Sequence, residues 1–100
     1  MNGLLEKDLE AKLTKRIKGL GGWSAKFVSP GMSGVPDRIL LLPGGQMLFV
    51  EMKKPGQKLR PLQEKRKRDL EQMGFLVRVV DSNYKIESLC LAIERGDLFD

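Results

Sequence analysis

The sequence predicts a single α/β domain over residues 1–100, with the element order αβββαβα and a mixed central sheet flanked by helices. Three observations support this prediction. Apolar residues recur at helical spacing in three segments, and four short apolar stretches between them have the length of strands. A helix between the third and fourth strands implies a right-handed crossover, so that strand pair is parallel. One hundred residues suffice for one domain with its own core.

The first half of the chain predicts one helix and three strands. An amphipathic helix covers about 4–18 and ends at a run of glycines. Its apolar residues are Leu5, Leu9, Leu13, Ile17 and Leu20. A first strand is predicted at 23–28, and a glycine-rich loop then leads to a second strand at about 37–42. The turn at 43–45 joins this strand to a third at about 46–53, so the two form a hairpin.

The second half predicts a helix, a short strand and a last helix. The middle helix covers about 60–73, and Gly74 ends it. Its inner side is predicted to carry Leu59, Leu62, Leu70 and Met73. A fourth strand follows at 75–80, and polar residues then cap a third helix at about 83–95. The apolar residues of that helix are Ile86, Leu89, Cys90 and Ile93.

The composition excludes several classes of mechanism. Because the chain has no histidine, a Ser-His-Asp triad, a histidine-ligated metal and a Cys-His pair are all excluded. Cys90 is the single cysteine, which excludes an internal disulfide framework, and we expect it to be a small buried residue. No apolar run approaches the ~18 residues of a membrane span, and the N-terminus lacks a signal-peptide core. We therefore expect an intracellular protein without a membrane partner.

The chain is basic, with a net charge of +5 and a pI of about 9.6. From Lys53 to Arg68 there are eight Lys or Arg residues and one acid, Glu64. Such a run is often only a solvated helix face, but its position directly after Glu51 favours a phosphate-contacting surface. The candidate phosphate contacts are Lys54, Lys58, Arg60, Arg66 and Lys67.

Asp37, Glu51 and Lys53 are ionisable residues within otherwise apolar, strand-like stretches, where an unpaired charge is costly. Because side chains alternate along a strand, Glu51 and Lys53 share one face, and the hairpin places Asp37 opposite them. Adjacent carboxylates repel unless a cation lies between them, and their oxygens suit Mg²⁺ or Mn²⁺. The simpler alternative is a Glu–Lys pair at a strand edge beside a turn aspartate. The trio next to a basic helix favours metal-assisted phosphodiester chemistry.

These residues lie in strings that resemble the VRR-NUC (virus-type replication-repair nuclease) family of the PD-(D/E)XK superfamily. The strings are Gly34-Val35-Pro36-Asp37-Arg38, Phe49-Val50-Glu51-Met52-Lys53, Leu62-Gln63, Gly74-Phe75 and Val79-Val80-Asp81-Ser82. The resemblance covers nearly the whole chain, which looks like a stand-alone phage or bacterial version. It implies a restriction-endonuclease-like fold, hydrolysis of DNA phosphodiesters with Mg²⁺ or Mn²⁺, no organic cofactor, and a place in the cytoplasm of a bacterial or phage-infected cell.

The resemblance also implies roles for particular residues. Asp37, Glu51 and the backbone carbonyl of Met52 correspond to metal ligands, and Lys53 to the catalytic lysine. Family members also use a glutamate of the first helix; Glu10 is preferred here and Glu6 is the alternative. Gln63 resembles the glutamine of the second helix, which could bond near the active site or to a phosphate.

Stand-alone members look like homodimers that cut branched DNA such as four-way junctions, in repair or recombination. The leading hypothesis is therefore a structure-directed DNA endonuclease. A non-catalytic DNA-binding module of a replication or recombination complex is the alternative, and it leaves Glu51 and Lys53 on one face unexplained.

Overall fold

The structure, a computed structural model, describes residues 6–99 and has the predicted order of elements. The elements are α1 (Glu6–Gly19), β1 (Trp23–Lys26), β2 (Arg38–Leu42), β3 (Gln46–Met52), α2 (Pro61–Gln72), β4 (Val77–Val80) and α3 (Asn83–Arg95). The predicted start of the first helix at residue 4, with Leu5, lies outside the described residues. Among the described helices, none combines the length and the apolar character needed to cross a bilayer.

The four strands form one mixed sheet in the order β1-β2-β3-β4. The pairs β1–β2 and β2–β3 are antiparallel, and β3–β4 is parallel, which confirms the predicted crossover through α2. All four strands are shorter than predicted, β2 and β3 by one residue and β1 and β4 by two. β1 ends at Lys26, although the N–H of the next residue, Phe27, still donates to the Asp37 carbonyl at 2.8 Å at the base of the loop. β4 begins late because the N–H of Phe75 bonds to the Leu70 carbonyl and completes the end of α2.

The core lies between one face of the sheet and the helices α1 and α3. Every second residue of β3 faces this core, and the three buried positions of α1 pack against them. The core residues are Leu9, Leu13, Ile17, Leu40, Leu42, Leu48, Val50, Met52, Val80, Ile86, Leu89 and Cys90. Complete burial of one such leucine contributes roughly 2 kcal/mol. Cys90 is buried in this core, as expected.

The opposite face of the sheet carries the aromatic residues and the site described below. Phe49 packs between Phe27 and Phe75, with ring centroids 5.6 Å apart in both pairs, tilted against the first ring and edge-to-face with the second. Helix α2 lies on this side, and none of its side chains, all within the described part of the chain, is buried. The prediction that Leu62 and Met73 face inward is wrong, since 41% and 67% of these residues are exposed. Specific contacts near its N-terminus, rather than a buried apolar stripe, therefore hold α2.

Candidate active site at the end of the hairpin

The β2–β3 hairpin brings the two candidate carboxylates together. Arg38 pairs with Val50 in the antiparallel register, so Asp37, the residue just before β2 begins, lies opposite Glu51. The backbone N–H of Asp37 donates to Glu51 Oε1 at 3.1 Å, and the N–H of Met52 donates to Asp37 Oδ1 at 3.1 Å. Each strand thus fixes the carboxylate of the other, in the arrangement that the tight turn predicts.

Glu51 and Lys53 share the face of the sheet opposite the core, as strand alternation predicts. Only 6% of Glu51 and 7% of Lys53 is exposed, and Lys53 Nζ lies 4.0 Å from Glu51 Oε2. The backbone N–H of Lys53 donates to the Val80 carbonyl at 3.0 Å, which holds this residue in the β3–β4 ladder. The backbone bond therefore fixes where the side chain begins, and burial keeps the ammonium group beside Glu51.

Gln63 connects α2 to the carboxylate of Glu51. Its Nε2 donates to Glu51 Oε2 at 2.6 Å, while its Oε1 accepts from the backbone N–H of Arg60 at 2.9 Å. One side chain thereby satisfies a free N–H at the start of the helix and orients a site carboxylate. The structure thus shows Gln63 in contact with a carboxylate of the candidate site.

The surroundings of the two carboxyl groups disfavour the ionised form of each. Burial raises the pKa of Glu51 to about 7, and the neighbouring charge of Asp37 adds to the effect, while Lys53 opposes it. Burial also raises the pKa of Asp37, opposed by the hydrogen bond from Met52, and Glu10 and Glu6 raise it further. A divalent cation between the carboxylates would relieve this repulsion. The site thus has an electrostatic demand for a positive charge.

The residues present fit a hard divalent cation. Asp37 and Glu51 offer carboxylate oxygens, which Mg²⁺ and Mn²⁺ prefer. The N–H and C=O of one strand residue point to the same side, so the Met52 carbonyl lies toward Asp37 together with its N–H. Within residues 6–99 no group of three His, Cys, Asp or Glu side chains forms a ready-made metal cluster. Two carboxylates and one carbonyl are the donors at hand.

The carboxylates line a polar cavity of about 420 Å³ between the hairpin, α1 and the start of α2. Its other lining residues are Glu6, Gly34, Val35, Met52, Lys53, Gln57, Lys58, Arg60 and Gln63. A larger cavity of about 540 Å³ lies between β4 and α3. Because that cavity contains neither site carboxylate, we assign the chemistry to the smaller one.

The two candidate glutamates of α1 are placed differently. Glu6 lines the cavity, whereas Glu10 Oε2 lies 3.3 Å from Arg38 Nε. Arg38 is itself buried on the core side of the hairpin, where its Nη1 donates to the carbonyl and Oγ of Ser24, both at 3.3 Å. The structure therefore brings Glu6, the alternative, to the cavity, and holds the preferred Glu10 beside Arg38. Arg38 is absent from the sequence-based candidates, although its charge at a core-facing strand position could have signalled it.

The candidate phosphate contacts divide into two groups. Lys58 and Arg60 line the cavity opposite the carboxylates, and Lys54 is exposed directly after the site lysine. By contrast, Lys67 Nζ pairs with Glu71 at 3.1 Å, and Arg66 Nε donates to the Ser33 carbonyl at 2.8 Å. Two members of the first group thus share the cavity with the carboxylates. The second group has partners within the protein.

Comparison with known proteins gives consistent results. The sequence model of the VRR-NUC domain family matches residues 4–84 of this chain. The "Putative nuclease p44" of Acyrthosiphon pisum secondary endosymbiont phage 1 is 43% identical over 82 residues, which cover 82% of this chain and 88% of that protein. A solved structure described as a VRR_NUC domain is similar with a TM-score of 0.79 and 32% identity, over 84% of this chain and 91% of the other.

Proposed function

This chain belongs to the VRR-NUC family, and we propose that it is a metal-dependent endonuclease that hydrolyses phosphodiester bonds in DNA. The observation that carries the proposal is the convergence of Asp37, Glu51 and Lys53 at one cavity on the second face of the sheet. A family relative named as a nuclease supports the same activity. The basic surface beside the cavity supports a polyanionic substrate.

Each site residue has a proposed role. Asp37, Glu51 and the Met52 carbonyl would hold Mg²⁺ or Mn²⁺, which when bound would supply Lewis-acid stabilisation of the scissile phosphate. Lys53 donates a hydrogen bond to the attacking water or to the phosphate oxygen on which negative charge develops. Gln63 keeps Glu51 in its orientation through the 2.6 Å bond. Glu6 adds negative charge to the cavity from α1.

Substrate binding is proposed to use backbone phosphates rather than bases. Lys54, Lys58 and Arg60 lie beside or on the cavity and offer cationic donors without a base-reading element. Branched DNA, such as a four-way junction, is the proposed substrate because the family resemblance implies it. A homodimer with two-fold symmetry would present two such cavities to two strands of a junction.

The test is cleavage of labelled four-way junction, flap, single-stranded and linear duplex DNA in Mg²⁺, Mn²⁺ or EDTA. Wild type is compared with Lys53→Ala and with Lys85→Ala, a control that removes an exposed lysine of α3 paired with Asp81. We expect metal-dependent cleavage that Lys53→Ala loses and Lys85→Ala keeps, with DNA affinity within about twofold in both. Binding without cleavage in every metal would contradict the proposal and indicate the non-catalytic DNA-binding module. Full activity of Lys53→Ala would overturn the site.

A further inference from the structure

The loop between β1 and β2 forms one wall of the cavity. Its two ends meet where the N–H of Phe27 bonds to the Asp37 carbonyl at 2.8 Å, so its path ends at a site carboxylate. Gly34 and Val35 of this loop line the cavity together with Asp37 and Glu51. The position of the loop therefore bears directly on the geometry of the site.

The loop lies against α2 at Gly34. This glycine has a φ of +83°, and a Cβ placed on it would lie 2.7 Å from Leu62 Cγ and 3.1 Å from the Leu62 carbonyl oxygen. Such distances are below ordinary van der Waals contact, so a residue with a Cβ at this position would collide with α2. Since α2 holds no buried side chain among its residues 61–72, contacts of this kind set its position.

Arg66 forms the polar part of the same junction. Its Nε donates to the Ser33 carbonyl at 2.8 Å, one residue before Gly34. Its Nη1 lies 3.8 Å from Asp69 Oδ2, and only 24% of its side chain is exposed. Arg60 and Lys58 line the cavity, whereas the cavity lining does not include Arg66. The guanidinium is thus directed at the loop backbone.

We propose that Arg66 is a positioning residue that fastens the loop 28–36 to α2, and not a phosphate contact. Together with the bond between Gln63 and Glu51, it fixes α2 at both sides of the cavity: one attachment reaches the sheet and the other the loop. The inference rests on the proposed nuclease function only for its effect on catalysis. The attachment itself is a property of the fold and can be measured without DNA or metal.

Matched substitutions separate the donor from the charge. The Nε2 of glutamine is as many bonds from Cα as the Nε of arginine, and the terminal methyl of methionine occupies the same place. Arg66→Gln therefore keeps a donor for the Ser33 carbonyl and loses the charge, while Arg66→Met loses both. Arg66→Lys keeps the charge and has a methylene at the donor position. A phosphate contact and an attachment therefore predict different rankings of these variants in hydrogen exchange and in cleavage rate.

The first measurement is amide hydrogen exchange at Met32 and Phe27, whose N–H groups bond to the carbonyls of Ser29 and Asp37 within and at the base of the loop. It is made in metal-free protein, with thermal unfolding as the control for fold. An attachment predicts exchange on the order of tenfold faster in Arg66→Met and unchanged in Arg66→Gln, because only the former loses the bond. The second measurement is single-turnover cleavage of a labelled four-way junction. The cleavage rate should fall about tenfold or more in Arg66→Met and recover in Arg66→Gln, since small displacements at a reacting centre are costly.

A phosphate contact predicts the opposite grouping. Arg66→Gln and Arg66→Met would then behave alike, both would bind DNA more weakly with a shallower salt dependence, and Arg66→Lys would resemble wild type. That result, or equal exchange in all variants, overturns the proposal. Gly34→Ala provides an independent test, because it displaces the loop from Leu62 and should reproduce the exchange of Arg66→Met. If wild type cleaves no DNA, the proposed nuclease fails while the exchange data still decide the role of Arg66.

Discussion

Substitution of Glu51 by glutamine should remove most of the pH dependence of folding stability between pH 5.5 and 8 in the metal-free protein. Glutamine matches glutamate in shape but cannot ionise. The chain has no histidine, so the usual source of a stability change in this range is missing. A buried carboxyl with a raised pKa, such as Glu51, should therefore dominate the profile.

The magnitude follows from the pKa of Glu51, which is raised from 4.5 to about 7 in the folded protein. The fold favours the protonated carboxyl, so this stability is present below the unfolded pKa and is lost as pH rises through the folded one. Linkage gives a destabilisation of about 1.4 kcal/mol at pH 5.5 and about 3.4 kcal/mol at pH 8. Wild type should thus be about 2 kcal/mol less stable at pH 8 than at pH 5.5.

The assay is urea unfolding in EDTA, followed by circular dichroism at several pH values. In Glu51→Gln the loss of stability between pH 5.5 and 8 should shrink to well under 1 kcal/mol. The remaining pH dependence comes from Asp37, because burial also raises the pKa of that carboxyl. Glu87→Gln is the control, because the pKa of Glu87 is lowered by its hydrogen bond to Arg16 and affects stability only under more acidic conditions. A wild type with a flat profile, or equal slopes in wild type and Glu51→Gln, would refute the reasoning.

Three further predictions concern the same site. Asp37→Asn should abolish the rise in melting temperature that Mn²⁺ causes at pH 8 while leaving the circular dichroism spectrum unchanged; a full Mn²⁺ response would remove Asp37 from the metal site. Lys58→Gln combined with Arg60→Gln should lower the salt slope of DNA affinity by about 2, roughly one for each contact, and unchanged slopes at several salt concentrations would exclude both residues. Glu6→Gln should weaken Mn²⁺ binding measured by calorimetry. Glu10→Gln should instead lower the free energy of unfolding by roughly 2 kcal/mol, because the buried Arg38 loses its counter-charge. Weaker Mn²⁺ binding in Glu10→Gln but not in Glu6→Gln would restore Glu10 as the ligand.

The pairing of the site was predictable because it depends on local rules. A tight turn fixes the register of the hairpin, and alternation then determines which side chains of β3 share a face, so the facing of Asp37 and Glu51 follows from the sequence. The choice between Glu6 and Glu10 could not be predicted from the sequence, because it depends on how α1 is rotated over the sheet. Glu10 pairs with Arg38, one residue after Asp37, and Glu6 lines the cavity, so the choice of ligand stays a prediction that the two substitutions above test.

Helix α2 shows the limit of periodicity as evidence. Leu62 and Met73 have the spacing of an inner face, yet both are exposed, because α2 meets the sheet through Gln63 and the loop through Arg66. Polar contacts of this kind leave no pattern of apolar residues in a sequence. The same contacts hold the helix against the site, so the part of the fold that periodicity described least well is the part that shapes the cavity.

The exposed state of α2 also bears on how this protein can change over evolutionary time. Substitutions in a packed core are constrained by volume, but a helix without buried side chains among residues 61–72 has few such constraints. Its surface charges can therefore be gained, lost or moved at little cost to folding, provided Gln63 and Arg66 are retained. The charge of this surface and the stability of the fold are then separate traits, which selection or protein engineering could adjust independently.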